Sequence, residues 1–97
     1  MDWTAWLREL LCRLYMAWGG QCDELGKTPS NWVNTVVGVY ATKGAPTFPD
    51  QNAKERFLTT LDLLEVHLAQ PGNTLTPAEN AELAAWIADL RADLGTL

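Results

Sequence analysis

The chain has little of what most kinds of protein chemistry require. Its 97 residues contain two cysteines, one histidine and a single serine, Ser30. Two cysteines are too few for a disulfide framework. Positive charge is also scarce, because seven lysines and arginines face twelve aspartates and glutamates, which gives a net charge of −5. This shortage argues against binding to nucleic acids or to anionic membranes, whereas a basic protein surface would be a compatible partner.

The cysteines and the N-terminal segment indicate the compartment. Cys12 and Cys22 are ten positions apart, which is not the spacing of a metal motif. Arg8, Glu9 and Arg13 interrupt the apolar run near the N-terminus, unlike the core of a signal peptide. No apolar stretch approaches the length of a membrane span. We therefore expect two reduced thiols in a cytoplasmic protein.

No catalytic or cofactor motif is present. The one histidine, His67, has its nearest carboxylate at Glu65, and side chains two positions apart on a helix do not face each other. The Glu-x-x-His pairs of di-iron bundles, HExxH, the P-loop and GxGxxG are all absent. We predict no catalytic residues, no metal ligands and no cofactor, and hence no enzymatic activity.

Helix start and stop signals divide the chain. Gly19-Gly20 ends a first amphipathic run, and Thr28-Pro29 starts a second. Thr76, Pro77 and Glu79 form an N-cap, a first-turn proline and a capping box. These signals predict an all-α fold, a compact bundle of four amphipathic helices in one domain over residues 1–97. The predicted helices cover 2–18, 29–43, 50–69 and 77–94.

The second helix is the weak point of this prediction. Its valines between Val33 and Tyr40 also suit a β-strand. Strict alternation is missing, however, because Asn34 and Thr35 are both polar and two valines follow them. We therefore predict a helix, and a strand here would overturn the bundle.

Helix 1 carries more aromatic surface than a bundle helix needs. Three of the five tryptophans lie on it, and its apolar residues cover about half of its circumference. One interpretation is that helix 1 is central and contacts several neighbours. The other is an oligomer interface, most simply that of a homodimer. The residues predicted for this interface are Trp3, Trp6, Leu11 and Tyr15. Helix 3 has a similar apolar surplus at Leu58, Leu63 and Val66.

Helix 4 carries an acidic ridge. Its members are spaced 3, 4, 3 and 4 positions apart and share one flank of the helix. They are Glu79, Glu82, Trp86, Asp89 and Asp93. The ridge predicts a partner-binding site in which Trp86 is an aromatic anchor within an acidic rim. The alternative is a solvated face with Trp86 at the edge of the core.

These features predict a non-enzymatic protein-binding module, an acidic inhibitor or regulator of a larger protein. Phage or mobile-element inhibitors, immunity proteins and antiactivators are proteins of this kind. The alternative is a structural or assembly subunit that self-associates through its aromatic-rich helices.

Overall fold

Four helices account for most of the chain in the computed structural model, which describes residues 2–95. The helices are α1 (Trp3–Tyr15), α2 (Pro29–Lys43), α3 (Gln51–Leu68) and α4 (Pro77–Leu94). Two short 3₁₀ turns, Met16–Trp18 and Cys22–Leu25, lie between α1 and α2. Every regular element within residues 2–95 is helical, so the all-α prediction is confirmed, including the helix across the valines of α2.

Each helix begins where a side chain satisfies its free amides. Asp2, Thr28, Asp50 and Thr76 are the four N-caps, each accepting hydrogen bonds from the first turn. The bounds of α2 and α4 coincide with the predicted ones. The first helix ends earlier than predicted, because the α-helix stops at Tyr15 and the chain tightens into a 3₁₀ turn.

The helices pack as a four-membered ring. The main contacts of α1 are with α2 and α3, and those of α4 are with the same two helices. Leucine, isoleucine and valine side chains from all four helices fill the interior, and α1 alone buries four leucines. The radius of gyration is 12.5 Å, as expected for a compact domain of this length. Within the described part of the chain, no helix is both long and apolar enough to cross a membrane.

Tryptophans tie the helices to the connecting segments. The indole N–H of Trp18 donates to the carbonyl of Gly44 (2.8 Å), and that of Trp32 donates to the carbonyl of Gly26 (2.9 Å). The indole N–H of Trp3 donates to the backbone carbonyl of the last turn of α3 (2.9 Å). Much of the aromatic surplus on α1 therefore has a structural role, since α1 is a central helix with neighbours on two sides.

The two cysteines are joined, contrary to our expectation of free thiols. A disulfide links Cys12 in α1 to Cys22 at the start of the second 3₁₀ turn, with the two Cα atoms 5.0 Å apart. The reversal at Gly19-Gly20 brings the chain back alongside α1, a proximity that the spacing of the two cysteines does not reveal. A guanidinium N–H of Arg8 donates to the carbonyl of Cys22 (3.3 Å) and holds the same return segment.

Candidate functional site

Two neighbouring surface pockets lie between α1 and α3. The wide pocket has a volume of about 860 Å³ and lies between the C-terminal end of α1, the loop before α3 and the first half of α3. Met16, Phe48, Arg56 and Leu63 are among its lining residues. We call the wide pocket and its continuation along α3 the α1/α3 groove.

The second part, the narrow pocket, lies nearer the N-terminus of α1. Its volume is about 350 Å³, and Trp6, Val66, His67 and Leu63 contribute to its walls. Leu63 lines both pockets, so the two pockets adjoin at this residue. Because α1 and α3 run antiparallel, the two pockets follow one another along a single groove.

The exposed large hydrophobic side chains of the described residues are all in this groove. Met16 is 57% exposed, Leu63 44% and Val66 58%. Single exposed hydrophobic residues are common on protein surfaces, but apolar residues grouped around a concavity are typical of binding sites. This grouping makes the α1/α3 groove the candidate functional site.

Trp3 and His67 line the narrow pocket and contact each other closely. The ring of His67 stacks on the indole of Trp3, with centroids 4.6 Å apart and planes 9° apart. Each residue also bonds the backbone of the other, because His67 Nε2 donates to the carbonyl of Trp3 (2.9 Å) and Trp3 Nε1 donates to that of His67. This pairing fixes α1 against α3. His67 therefore has a structural role that its position in the sequence did not reveal.

The charge of the groove differs from that of the whole chain. Arg13, Arg56 and Glu55 line the wide pocket. Arg13 forms an exposed ion pair with Glu9 (3.1 Å), whereas Arg56 makes no ion pair with any residue from 2 to 95. None of the lining residues of the narrow pocket is an aspartate, glutamate, lysine or arginine. The groove thus combines exposed apolar side chains with two arginines and one glutamate, in a chain of net charge −5.

Two acids of the helix 4 ridge connect α4 to α2. Glu79 closes the capping box with Thr76 and accepts a hydrogen bond from the Ser30 hydroxyl (2.6 Å), which lowers the pKa of the Glu79 carboxyl. Asp93 accepts a hydrogen bond from the Tyr40 hydroxyl, and this bond raises the pKa of Tyr40 to about 12. The carboxylates of Glu79 and Asp93 are therefore occupied within the fold.

The centre of the ridge is not a surface anchor. Trp86 is only 2% exposed and packs against Trp18, with ring centroids 6.1 Å apart. The prediction of Trp86 as an exposed anchor is therefore wrong, and the alternative with Trp86 at the core is correct. Leu83, Trp86, Ile87 and Leu90 form one buried stripe. Glu82 and Asp89 are exposed on the flank, and a contact between them and a partner stays a prediction.

The four residues predicted for the oligomer interface also differ in how far they are buried. Leu11 is fully buried and offers no surface to another copy, so that part of the prediction is wrong, whereas Trp3 is 8% exposed and lines the narrow pocket. Trp6 and Tyr15 are half-buried, and of these two only Trp6 lines the groove. The apolar residues outside the inner stripe of helix 3 predict the α1/α3 groove better than the four interface residues of helix 1 do. Leu63 and Val66 are exposed at the groove, although Leu58 is buried.

Within residues 2–95 no group of three or more histidine, cysteine or acidic side chains is placed to hold a metal ion. In comparisons with known proteins, no family model matches this chain, and no curated protein or solved structure shows significant similarity to it.

Proposed function

We propose that this chain is a non-enzymatic protein-binding module, an inhibitor or regulator of a larger protein, and that it binds through the α1/α3 groove. The observation that carries the proposal is the grouping of Met16, Leu63 and Val66 around one groove. Phage or mobile-element inhibitors, immunity proteins and antiactivators are the classes we expect to include it. We propose the cytoplasm as its compartment, and the Cys12–Cys22 disulfide is the observation that argues against it.

Purification of the tagged full-length protein from its native host tests this function. We expect one stoichiometric partner with the wild-type chain and its loss with Leu63→Lys, because a charge placed where the two pockets adjoin must be desolvated on binding. The matched control is Ala85→Lys, which adds the same charge at an exposed position of α4. Equal recovery of the partner by both variants would exclude the groove as the binding site.

Self-association is the second candidate, since the same three exposed side chains could pack against another copy. Sedimentation equilibrium at micromolar concentration distinguishes the two. A homodimer that dissociates on Leu63→Lys would favour an assembly subunit, and a monomer would favour a heterologous partner.

A further inference from the structure

The chain runs back along α1 before α2 begins. The indole N–H of Trp18, just after α1, donates to the carbonyl of Gly44, just after α2, so the C-terminal ends of the two helices lie together. The disulfide then places Cys22 beside Cys12, which is three residues before the end of α1. The chain therefore reverses after Trp18 and returns beside α1, so that α2 can run in the same direction as α1.

Both ends of this return segment, residues 19–28, are anchored in the fold. Trp18, immediately before it, packs against two buried aromatic rings. Toward the other end, Leu25 is fully buried and the indole N–H of Trp32 donates to the carbonyl of Gly26 (2.9 Å). The stretch between these anchors, residues 19–24, is exposed or half-buried at every position.

Two bonds connect the middle of this stretch to α1. One is the disulfide from Cys22 to Cys12, and the other is the hydrogen bond from the Arg8 guanidinium to the carbonyl of Cys22 (3.3 Å). A segment with little buried surface opens easily unless other contacts hold it. A covalent bond restricts the chain far more than one hydrogen bond does. The disulfide is therefore the main restraint on residues 19–24.

The two sulfurs of the disulfide differ in how accessible they are. Cys12 lies within α1 and is 6% exposed. Cys22 is half-buried at the start of a surface 3₁₀ turn, with an exposed residue on either side. Thiol–disulfide exchange begins when a thiolate attacks one of the two sulfurs, which requires access to that sulfur. An incoming thiolate therefore reaches Cys22 first.

We propose that Cys22 is a thiol–disulfide exchange site whose substrate is a dithiol, and that the Cys12–Cys22 bond reversibly controls the order of residues 19–24. The inference goes beyond the proposed function and does not depend on it.

The exchange reaction has two steps. One thiolate of the dithiol attacks Cys22 Sγ, and the disulfide breaks with its electron pair on Cys12 Sγ, which takes up a proton. The second thiolate of the dithiol then attacks the dithiol sulfur bound to Cys22, and Cys22 Sγ leaves and takes up the second proton. The chain gains two electrons and two protons, and the dithiol becomes a cyclic disulfide. The Arg8 hydrogen bond and the burial of Leu25 then hold Cys22 near Cys12, so that the reverse reaction can re-form the bond.

Hydrogen exchange of the full-length protein, with millisecond mixing and mass spectrometry, measures the effect on order. We expect reduction by dithiothreitol to speed amide exchange in residues 19–24 by about tenfold or more, while the helical signal in circular dichroism stays unchanged and α2, α3 and α4 stay protected. Cys22→Ser cannot form the bond, so it should exchange at the reduced rate with or without dithiothreitol.

Alkylation of the reduced protein tests which sulfur is accessible. Trypsin cleaves after Arg13, between the two cysteines, so a brief iodoacetamide pulse can be read separately at each of them. We expect Cys22 to react about tenfold or more faster than Cys12. The single-cysteine variants form a matched pair. Cys12→Ser should react at the fast rate and Cys22→Ser at the slow rate.

A titration with reduced and oxidised glutathione tests reversibility. We expect the bond to be half reduced within the range of ratios that the cytosol maintains, and to re-form fully when oxidised glutathione is restored. Three results would overturn the inference. They are a bond that stays intact across this range, reduction that removes protection from all helices instead of loosening residues 19–24, and alkylation of Cys12 as fast as that of Cys22.

Discussion

The indole N–H of Trp86 is buried and makes no hydrogen bond to any residue from 2 to 95. Replacing Trp86 therefore tests whether this donor lowers the stability of the fold. Burying a donor without a partner costs about 1–3 kcal/mol. Trp86→Phe removes this donor together with roughly 40 Å² of apolar surface, whose burial contributes about 1 kcal/mol. The two effects oppose each other, so we expect Trp86→Phe to raise the free energy of unfolding by about 0–2 kcal/mol.

Trp32→Phe is the matched control. Trp32 is 5% exposed and Trp86 is 2% exposed, so the two substitutions remove similar buried surface. Trp32, however, donates a hydrogen bond to the carbonyl of Gly26. Its replacement loses this bond as well as the apolar contact, and we expect a cost of about 2 kcal/mol. The two variants should therefore differ by about 2–4 kcal/mol, although the chemical change is identical.

Urea unfolding followed by circular dichroism measures both values. A difference of 2 kcal/mol corresponds to roughly 8–16 °C in Tm for a domain of this size. Equal losses in the two variants would refute the reasoning, since they would mean that Trp86 Nε1 has a hydrogen-bond partner in solution. Trp86→Ala adds an independent check. It should cost about 3–5 kcal/mol if Trp86 is in the core, and very little if it is a surface anchor.

Three further predictions follow from individual contacts. Gly38 is exposed within α2 and an added Cβ meets no atom within 4 Å, so Gly38→Ala should raise the free energy of unfolding by about 0.5–1 kcal/mol in urea titrations. Thr76→Ala should lower it by about 1 kcal/mol, because the cap of the Glu79 amide is lost (3.1 Å). The bond to Asp93 raises the pKa of Tyr40 to about 12 from an ordinary value near 10. The stability from this bond should thus be complete below pH 10 and lost as the pH rises toward 12, and the late step in tyrosinate absorbance should disappear in Tyr40→Phe.

The fold was predictable because its boundaries are local. An N-cap followed by proline specifies where α2 and α4 begin, at Pro29 and Pro77, with no information from the rest of the chain. The end of α1 was not predictable in the same way. The apolar spacing continues to Trp18, and the change to a 3₁₀ turn after Tyr15 places Met16 at the wide pocket.

The candidate site was harder to predict, because the same periodicity suits a buried and an exposed face. Trp86 lies at the edge of the apolar stripe of α4, and its burial depends on which helices flank α4. Since α4 packs against both α2 and α3, the buried arc is wide enough to include it. Leu63 and Val66 were visible as apolar residues off the inner stripe, but the groove beside them depends on how α1 crosses α3. No local pattern contains that information.

The disulfide affects the stability of the fold, and its presence in the host would indicate the compartment of the protein. Cys12 and Cys22 are separated by 10 positions, and in the chain-entropy account a loop of this length stabilises the fold by about 2.7 kcal/mol. Reduction should therefore lower the free energy of unfolding by about this amount, whereas the same reductant should leave Cys22→Ser unchanged. An equal response of both proteins would show that the reductant acts elsewhere.

The state of these cysteines in the native host decides the compartment. Disulfides persist in oxidising compartments and are rare in the cytosol, where thiols are kept reduced. Acid quenching followed by alkylation and mass spectrometry distinguishes the two states, because only free thiols are alkylated. A chain alkylated at both Cys12 and Cys22 would support the cytoplasmic proposal. A chain that resists alkylation until it is reduced would refute the cytoplasmic proposal, and any partner would then have to be sought among proteins of an oxidising compartment.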